Sequence, residues 1–252
     1  LSDGELIQVT EDPGFDSHPF WHPDGRSLLI TSDRKGQMDI WSIELPEELS
    51  GNEGIAEPVP DFEFVQLTNE EVTQYHPQWS PDGKTLGYVA YQNNRSEIWL
   101  LPEGEQEAVQ FPLDLNGDFA FVWSPDGRQM VFDAYDERDI LAIWLMDFPD
   151  GEPGKLSDQQ NGTAHPDWSP DGSIIIYQTR GNLYLHDLAT NEVTPFLETR
   201  SETWHPKWSP DGKTMLFTSM QSGNIDLWTV PVDGGEATQI TFDEAYDDRG
   251  VW

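Results

Sequence analysis

Four of the six histidines share one position of an internal repeat, and they are the first candidates for chemistry. Each opens the phrase His-Pro-x-Trp. Imidazoles gathered on one ring could bind a transition metal. Because each histidine also precedes proline within a repeated phrase, a structural role between neighbouring blades is sufficient to explain it, and no metal site is predicted. The four are His18, His76, His165 and His205, and the same position holds Ala120 and Arg249 in two further copies.

Aromatic side chains stand directly before this position in three copies. Equivalent positions of a ring-forming repeat lie around one axis, so we expect a rim of aromatic rings at one mouth of a central channel. Such a rim suits a peptide or a sugar ring, and packing between loops is the alternative interpretation. The three residues are Tyr75, Phe119 and Trp204, of which Trp204 is the one tryptophan that no repeated position explains.

Carboxylates stand two positions before the histidine in three copies, at Asp16, Asp118 and Asp247. Together with Arg249 they complete the predicted partner-binding set. Carboxylates near one axis would concentrate negative potential and could hold calcium or another divalent cation through oxygen ligands. Residues 114–118 resemble the start of a calcium loop but lack its remaining ligands. The prediction is therefore no cofactor, with a divalent cation as the alternative.

Catalytic motifs find no support in the sequence. There is no Gly-x-Ser-x-Gly nucleophile elbow, no His-Glu-x-x-His and no phosphate-binding glycine loop. With 47 acidic residues a carboxylate pair for glycoside chemistry cannot be identified by position. We predict no catalytic residue.

Composition restricts the class of partner. Lysine plus arginine number 13 against 47 acidic residues, which gives a net charge of −34. Nucleic acid and anionic lipid surfaces would be repelled, whereas cationic partners would be attracted. The 12 Phe, 11 Trp and 7 Tyr need a packed interior, which argues against disorder. There is no cysteine and no apolar run of 18 residues.

The repeat predicts the fold. Tryptophans of the repeated phrase stand at 21, 79, 123, 168, 208 and 252, and a period of about 40–45 residues is typical of propeller blades or helical arrays. Each tryptophan is followed by short apolar runs rich in β-branched and aromatic residues, separated by turn residues. Four such strands per unit predict an all-β propeller of five recognisable four-stranded blades.

The phrase Ser-Pro-Asp-Gly is predicted to form the turn between the first and second strands of each blade. Proline presets φ at the first corner, aspartate suits the second, and glycine takes the positive φ of the following bulge. These residues are therefore interpreted as scaffold.

The combined pattern resembles the Pro-Asp repeat of the TolB propeller family. His-Pro-x-Trp-Ser-Pro-Asp-Gly-Lys is followed by an apolar strand, Ile-Trp, Asp-Gly-Gly-Glu and Leu/Ile-Thr. The resemblance implies a protein-binding propeller, usually of six blades, exported to a bacterial periplasm or cell surface. Similar repeats occur in the propellers of prolyl-oligopeptidase-like enzymes and in oligogalacturonate lyases.

The predicted organisation is one domain over residues 1–252. An acidic insertion, 44–64, is expected between the third and fourth strands of blade one. Residues 1–21 align without gaps to 232–252, so the chain holds two copies of its opening segment. Three interpretations stay open. The chain is a piece of a larger ring, it forms a five-bladed ring with one redundant end, or one of its ends pairs with another molecule. The blades are expected near 18–68, 76–112, 120–157, 165–197 and 205–241, with duplicated terminal segments at 1–17 and 242–252.

The predicted function is a non-catalytic scaffold that binds a protein or peptide at the channel mouth or across one face. Two alternatives are kept. One is the propeller of a sugar-active lyase or hydrolase, or of a peptidase whose catalytic domain is elsewhere. The other is a self-assembling structural protein joined through its terminal strands.

Overall fold

A computed structural model describes residues 8–46, 62–117, 120–157, 162–199, 201–242 and 244–252. These residues form five four-stranded antiparallel sheets, arranged as the blades of a β-propeller. The prediction of an all-β propeller with five four-stranded blades is confirmed. The described part of the chain holds no helix that is long and apolar enough to cross a membrane.

Each blade follows the chain from the channel outward, so strand order equals sequence order. Blade one comprises β1 (Asp16–Trp21), β2 (Ser27–Ser32), β3 (Asp39–Glu44) and β4 (Glu63–Gln66); blade two β5 (Thr73–Trp79), β6 (Thr85–Gln92), β7 (Arg95–Pro102) and β8 (Val109–Gln110); blade three β9 (Phe121–Trp123), β10 (Gln129–Tyr135), β11 (Leu141–Asp147) and β12 (Gly154–Lys155); blade four β13 (Ala164–Trp168), β14 (Ile174–Thr179), β15 (Asn182–Asp187) and β16 (Glu192–Leu197); blade five β17 (Thr203–Trp208), β18 (Thr214–Ser219), β19 (Asp226–Pro231) and β20 (Thr238–Gln239).

The Ser-Pro-Asp-Gly turns join the first and second strands, as the sequence predicts. In blade two the hydroxyl of Ser80 donates to Asp82 at 2.7 Å, and the amide of Lys84 donates to the same carboxylate at 3.1 Å. Gly83 has φ of 70°, and its four counterparts lie between 71° and 73°. Only glycine adopts this backbone conformation without strain. We call the end of the ring that carries these turns the turn face, and the opposite end, where the inner strands begin, the start face.

The hydrophobic core lies between neighbouring blades. Val89 and Ile98 of blade two pack with Phe121 and Phe132 of blade three, and all four are at most 1% exposed. The second strand of each blade is buried on both faces over most of its length and therefore has a nearly continuous apolar run rather than an alternating one. This arrangement fixes the inner strands around the axis.

The acidic insertion does join β3 to β4, which end and begin at Glu44 and Glu63; its residues 47–61 lie outside the described part. The second copy of the opening segment, 247–252, docks on blade five as an inner strand would. Trp252 Nε1 donates to the carbonyl of Lys207 at 3.1 Å, just as Trp168 Nε1 donates to Val122 at 3.3 Å.

Candidate functional site

The repeated histidines meet in the central channel. His18, His76, His165 and His205 line one cavity together with Arg249 of the C-terminal segment. Ala120 holds the equivalent place on blade three and lines the same cavity. The volume of this cavity is about 70 Å³, well below the roughly 300 Å³ at which small-molecule sites begin. A peptide therefore has no room along the channel.

A backbone distortion turns these side chains toward the axis. The four histidines have φ between 50° and 53°, and Arg249 has φ of 58°. At each histidine the pairing of the inner strand with the second strand shifts by one residue, which is a β-bulge. Histidine is enriched among non-glycine residues in this left-handed region. The His-Pro pair thus has a structural function, since it makes the bulge on which the ring is built.

The histidines pack as two edge-to-face pairs. The ring centroids of His18 and His76 are 4.2 Å apart, and those of His165 and His205 are 4.1 Å apart. These contacts are short because the bulges direct the imidazoles of neighbouring blades inward. Within the described residues, no group of three or more His, Asp or Glu side chains has a metal-holding arrangement.

Burial keeps the imidazoles uncharged. It lowers the pKa of His18 and of His165 to about 3, and the positive charge of Arg249 acts in the same direction. The pKa values of His76 and His205 are lowered by burial as well. Neutral rings can lie side by side next to a guanidinium, whereas four imidazolium ions in this space would repel each other.

Asp248 organises the start-face end of the channel. Its Oδ1 accepts hydrogen bonds from His205 Nδ1 at 2.7 Å, Thr218 Oγ1 at 2.9 Å and Trp204 Nε1 at 3.1 Å. Burial alone would raise the pKa of Asp248, but the bond from His205, the bond from Thr218 and the charge of Arg249 lower it overall. An ionised Asp248 therefore ties the C-terminal segment to blade five.

The aromatic residues predicted for the channel mouth lie at the start face. The ring of Tyr75 is 5.3 Å from His76 and 6.3 Å from His18, and its hydroxyl is 2.7 Å from that of Ser96. Trp204 is held by Asp248, as described above. Phe119 lies outside the described residues. Two of the three predicted rings are thus placed beside the channel histidines.

The predicted carboxylates differ from this pattern, and the expectation that they face the axis is corrected. Asp16 is largely buried in an ion pair with Arg34 at 3.3 Å, and neither Asp16 nor Asp247 lines the channel cavity. This position makes structural contacts instead: Asp16 pairs with Arg34 within blade one, and the hydroxyl of Thr163 before β13 bonds that of Ser157 after β12 at 2.6 Å. Asp118 lies outside the described residues.

The start face carries a set of exposed hydrophobic side chains that the sequence reasoning missed. Among the described residues, Trp252 is the one exposed large hydrophobic side chain at the turn face. Three exposed valines lie on the outer strands, at neither end of the ring. All the others lie at the start face: Phe15 (60% exposed), Tyr91 (47%), Tyr135 (37%), Met220 (44%), Phe242 (75%) and Tyr246 (77%).

The repeat shows why these residues are informative. Phe15 and Tyr246 occupy a position that is exposed or small in other blades, where Thr73, Gly162 and Glu202 stand. A polar or small residue satisfies the fold at that position, so an aromatic residue there is not required for packing. An alignment of the repeats alone could have revealed this signal.

The chain matches two family models and resembles solved propeller structures. Residues 61–181 match the family described as "TolB beta propeller domain", and residues 177–250 match "Dipeptidyl peptidase IV (DPP IV) N-terminal region". The solved structure of TolB from Acinetobacter baumannii covers 98% of this chain and 60% of its own, with a TM-score of 0.82 and 20% identity. At that identity the likeness shows the fold.

Two curated bacterial proteins are similar in sequence. The chain is 34% identical over 106 residues to "Uncharacterized peptidase YuxL" of Bacillus subtilis, and the matched segment covers 40% of this chain and 16% of that protein. It is 30% identical over 167 residues to "Uncharacterized protein Atu1656" of Agrobacterium fabrum, covering 62% and 52% respectively. The matched segments thus span about half or less of these two relatives.

Proposed function

We propose that this chain, a TolB-like Pro-Asp-repeat β-propeller of five blades, is a non-catalytic binding scaffold whose protein or peptide partner docks across the start face. The contact would centre on the channel mouth beside Tyr75 and Trp204. The scaffold would act in a bacterial periplasm or at a cell surface, which the resemblance to TolB supports.

One observation carries the proposal: the exposed large hydrophobic residues of the described chain are concentrated on the start face. Phe242 and Tyr246 are 75% and 77% exposed, and exposed apolar patches of this kind are typical of protein interfaces. Aromatic residues are also the side chains that contribute most to interface affinity. The narrow channel supports docking across the face rather than threading through the ring.

The net charge supports a partner that carries positive charge. Exposed acids such as Glu71, Glu202 and Glu244 lie in the loops of the start face among the aromatic residues. Opposite charge would accelerate association and would weaken as salt is added. Protein partners that bind this face are therefore expected to present a basic surface with apolar anchors.

Site-specific photo-crosslinking tests the proposal. A photoreactive phenylalanine is placed at Tyr246 or at Tyr91 on the start face, and at Arg128 on the turn face as a matched exposed control. The labelled chain is irradiated in an extract of the source cell, and the captured polypeptide is identified and purified. We expect the same polypeptide from both start-face positions and none from Arg128.

Binding of the purified partner then tests docking at the start face directly. The purified partner should bind the wild-type chain in calorimetry, and Tyr246→Ala should weaken binding about tenfold, as loss of one aromatic anchor does. Arg128→Ala should leave the affinity unchanged. Equal affinity of wild type and Tyr246→Ala, or a partner captured only at Arg128, would refute docking at the start face. Light scattering of the free chain reports self-association separately.

A second candidate function is the propeller of a peptidase. The match of residues 177–250 to the dipeptidyl peptidase IV region and the identity to YuxL favour it. In that case the face that carries Tyr75 and Trp204 would meet a catalytic domain instead of a separate protein. Crosslinking from Tyr246 to a hydrolase domain would distinguish this function from the first.

A further inference from the structure

Arg249 is a charged residue at the repeat position that four histidines occupy in other copies. Its φ of 58° repeats their left-handed backbone, and its side chain lines the same channel cavity. The order of the chain around the ring places it between His205 of blade five and His18 of blade one. Burial and the charge of Arg249 both lower the pKa of each of these imidazoles. A permanently positive guanidinium therefore lies among uncharged rings.

The Arg249 guanidinium lacks a hydrogen-bond acceptor. Its one ion pair among the described residues is with Asp248, whose Oδ2 is 3.7 Å from Nε, which is beyond hydrogen-bonding distance. Within the described part of the chain the guanidinium makes no hydrogen bond, although its side chain is only 31% exposed. The other oxygen of this carboxylate, Oδ1, accepts four hydrogen bonds from other donors, which are His205, Thr218, Trp204 and the backbone amide of Arg249.

The charges that line the cavity are positive. Lys207 lines it along with Arg249, and among the described residues no aspartate or glutamate does so. Lys207 is neutralised by Asp167, since its Nζ is 3.0 Å from Oδ1. Burial lowers the pKa of Arg249, and the charge of Asp248 only partly opposes this shift. The charge that lacks compensation in the cavity is therefore that of the guanidinium.

A small anion is the ligand that these surroundings select. A guanidinium has five N–H donors and no acceptor, and its charge would repel a metal ion or an ammonium ion. A cavity of about 70 Å³ holds about two water-sized groups, since one water occupies roughly 30 Å³. Chloride or formate has this size, whereas larger organic anions do not. The net charge of −34 repels anions from the molecule as a whole, so binding must depend on this local group.

We propose that the channel binds one small monovalent anion, such as chloride or formate, on the guanidinium of Arg249. The anion accepts charge-assisted hydrogen bonds and neutralises the charge that the C-terminal segment brings into the ring. It thereby stabilises the docking of this segment beside blade five. The site lies inside the channel, so it goes beyond the proposed partner-binding function and does not depend on it.

Nuclear magnetic resonance of chloride tests the site, because chloride that exchanges with a protein site gives a broadened signal. The sodium concentration and the ionic strength are held constant with gluconate, an anion too large for the cavity. We expect an excess line width with the wild-type chain that falls as formate is added, because formate displaces chloride. The same concentration of gluconate should leave the excess line width unchanged.

Three variants connect the signal to the guanidinium. Arg249→His introduces the residue that four other copies hold at this position with the same backbone conformation, and at neutral pH it should bind chloride about tenfold or more weakly, because charge-assisted hydrogen bonds are lost. Arg249→Lys keeps the positive charge and should retain part of the affinity. Arg180→Asn is the matched control, since it removes one exposed arginine from a residue with φ of 53° and should bind chloride as wild type does.

The outcomes that would overturn the proposal are specific. They are the absence of excess line width in the wild type, equal line width in wild type and a folded Arg249→His, and displacement of chloride by gluconate as effective as that by formate. If urea unfolding shows that Arg249→His does not fold, the comparison of formate with gluconate on the wild type decides. Tyr246→Ala should bind chloride as wild type does, so this test and the crosslinking at the start face can fail independently.

Discussion

The channel histidines make the stability of this propeller depend on pH in a way that can be calculated. Burial lowers the pKa of His165 from its ordinary value of 6.5 to about 3 in the folded chain. Between these values the unfolded chain binds a proton that the folded chain does not, so stability rises with pH across this window. The stabilisation is complete above about pH 6.5 and is lost as the pH falls toward 3.

The magnitude follows from the two pKa values. Each pH unit inside the window costs about 1.4 kcal/mol per histidine. Because the unfolded chain is only partly protonated near its own pKa, moving from pH 7 to pH 5 removes about 2 kcal/mol for His165. His18 has the same pKa of about 3 and contributes a similar loss. The lowered pKa values of His76 and His205 act in the same sense.

Urea unfolding of wild type and His165→Asn at pH 7 and pH 5 measures this contribution. Asparagine is neutral and tolerates the left-handed backbone of this position, so the variant removes the titration while keeping the bulge. We expect the stability lost between pH 7 and pH 5 to be smaller by about 2 kcal/mol in the variant. General repulsion among the acids changes both proteins equally and cancels in the difference.

Ala120→Asn is the matched control, because it introduces the same residue at the same repeat position without removing a histidine. Its effect on stability should be the same at both pH values. If His165→Asn and wild type lose stability in parallel between pH 7 and pH 5, to within about 0.5 kcal/mol, the account of buried neutral histidines is refuted.

Three further changes have defined outcomes. Asp248→Asn weakens the hydrogen bonds from His205 and Trp204. Since the carboxylate is 34% exposed, we expect the free energy of unfolding in urea to fall by only about 1–2 kcal/mol. An unchanged midpoint would show that Asp248 does not hold the C-terminal segment on blade five. Gly87→Ala places a Cβ against Trp123 Cη2, so overpacking of about 1–3 kcal/mol should lower the melting temperature by about 2–12 °C. An unchanged melting temperature would show that the core relaxes freely. Because 47 acids oppose 13 bases, raising NaCl from about 0.1 to about 1 M should increase the melting temperature by about 4 °C or more, and a flat response would show that self-repulsion is unimportant.

The blades could be predicted from the sequence because each depends on local signals. Apolar runs such as 174–177 and 215–217 form the second strands that the sequence places after every Pro-Asp-Gly turn. The outer strands are also found where expected, although β12 and β20 have only two residues each. An outer strand pairs along only one of its edges, so a few residues are enough to complete the blade.

The arrangement of the candidate site could not be predicted in the same way. The distance between His18 and His76 depends on how two blades pack and on the left-handed backbone at both residues, and neither is a property of one segment. The same holds for Asp16, whose ion pair with Arg34 removes it from the channel. The arginine is 18 residues away in sequence, and only the pairing of β1 with β2 brings it close.

Residues that recur in most copies of the repeat and residues that occur in one copy have different roles in this molecule. Residues common to most copies, including His165 and Gly83, build the bulges and turns that hold the ring together, so changing them alters stability. A residue unique to one copy, such as the exposed Tyr246, is not needed for the ring to close, so changing it should leave the free energy of unfolding unaltered. Five nearly identical blades therefore provide stability that no single surface residue has to supply.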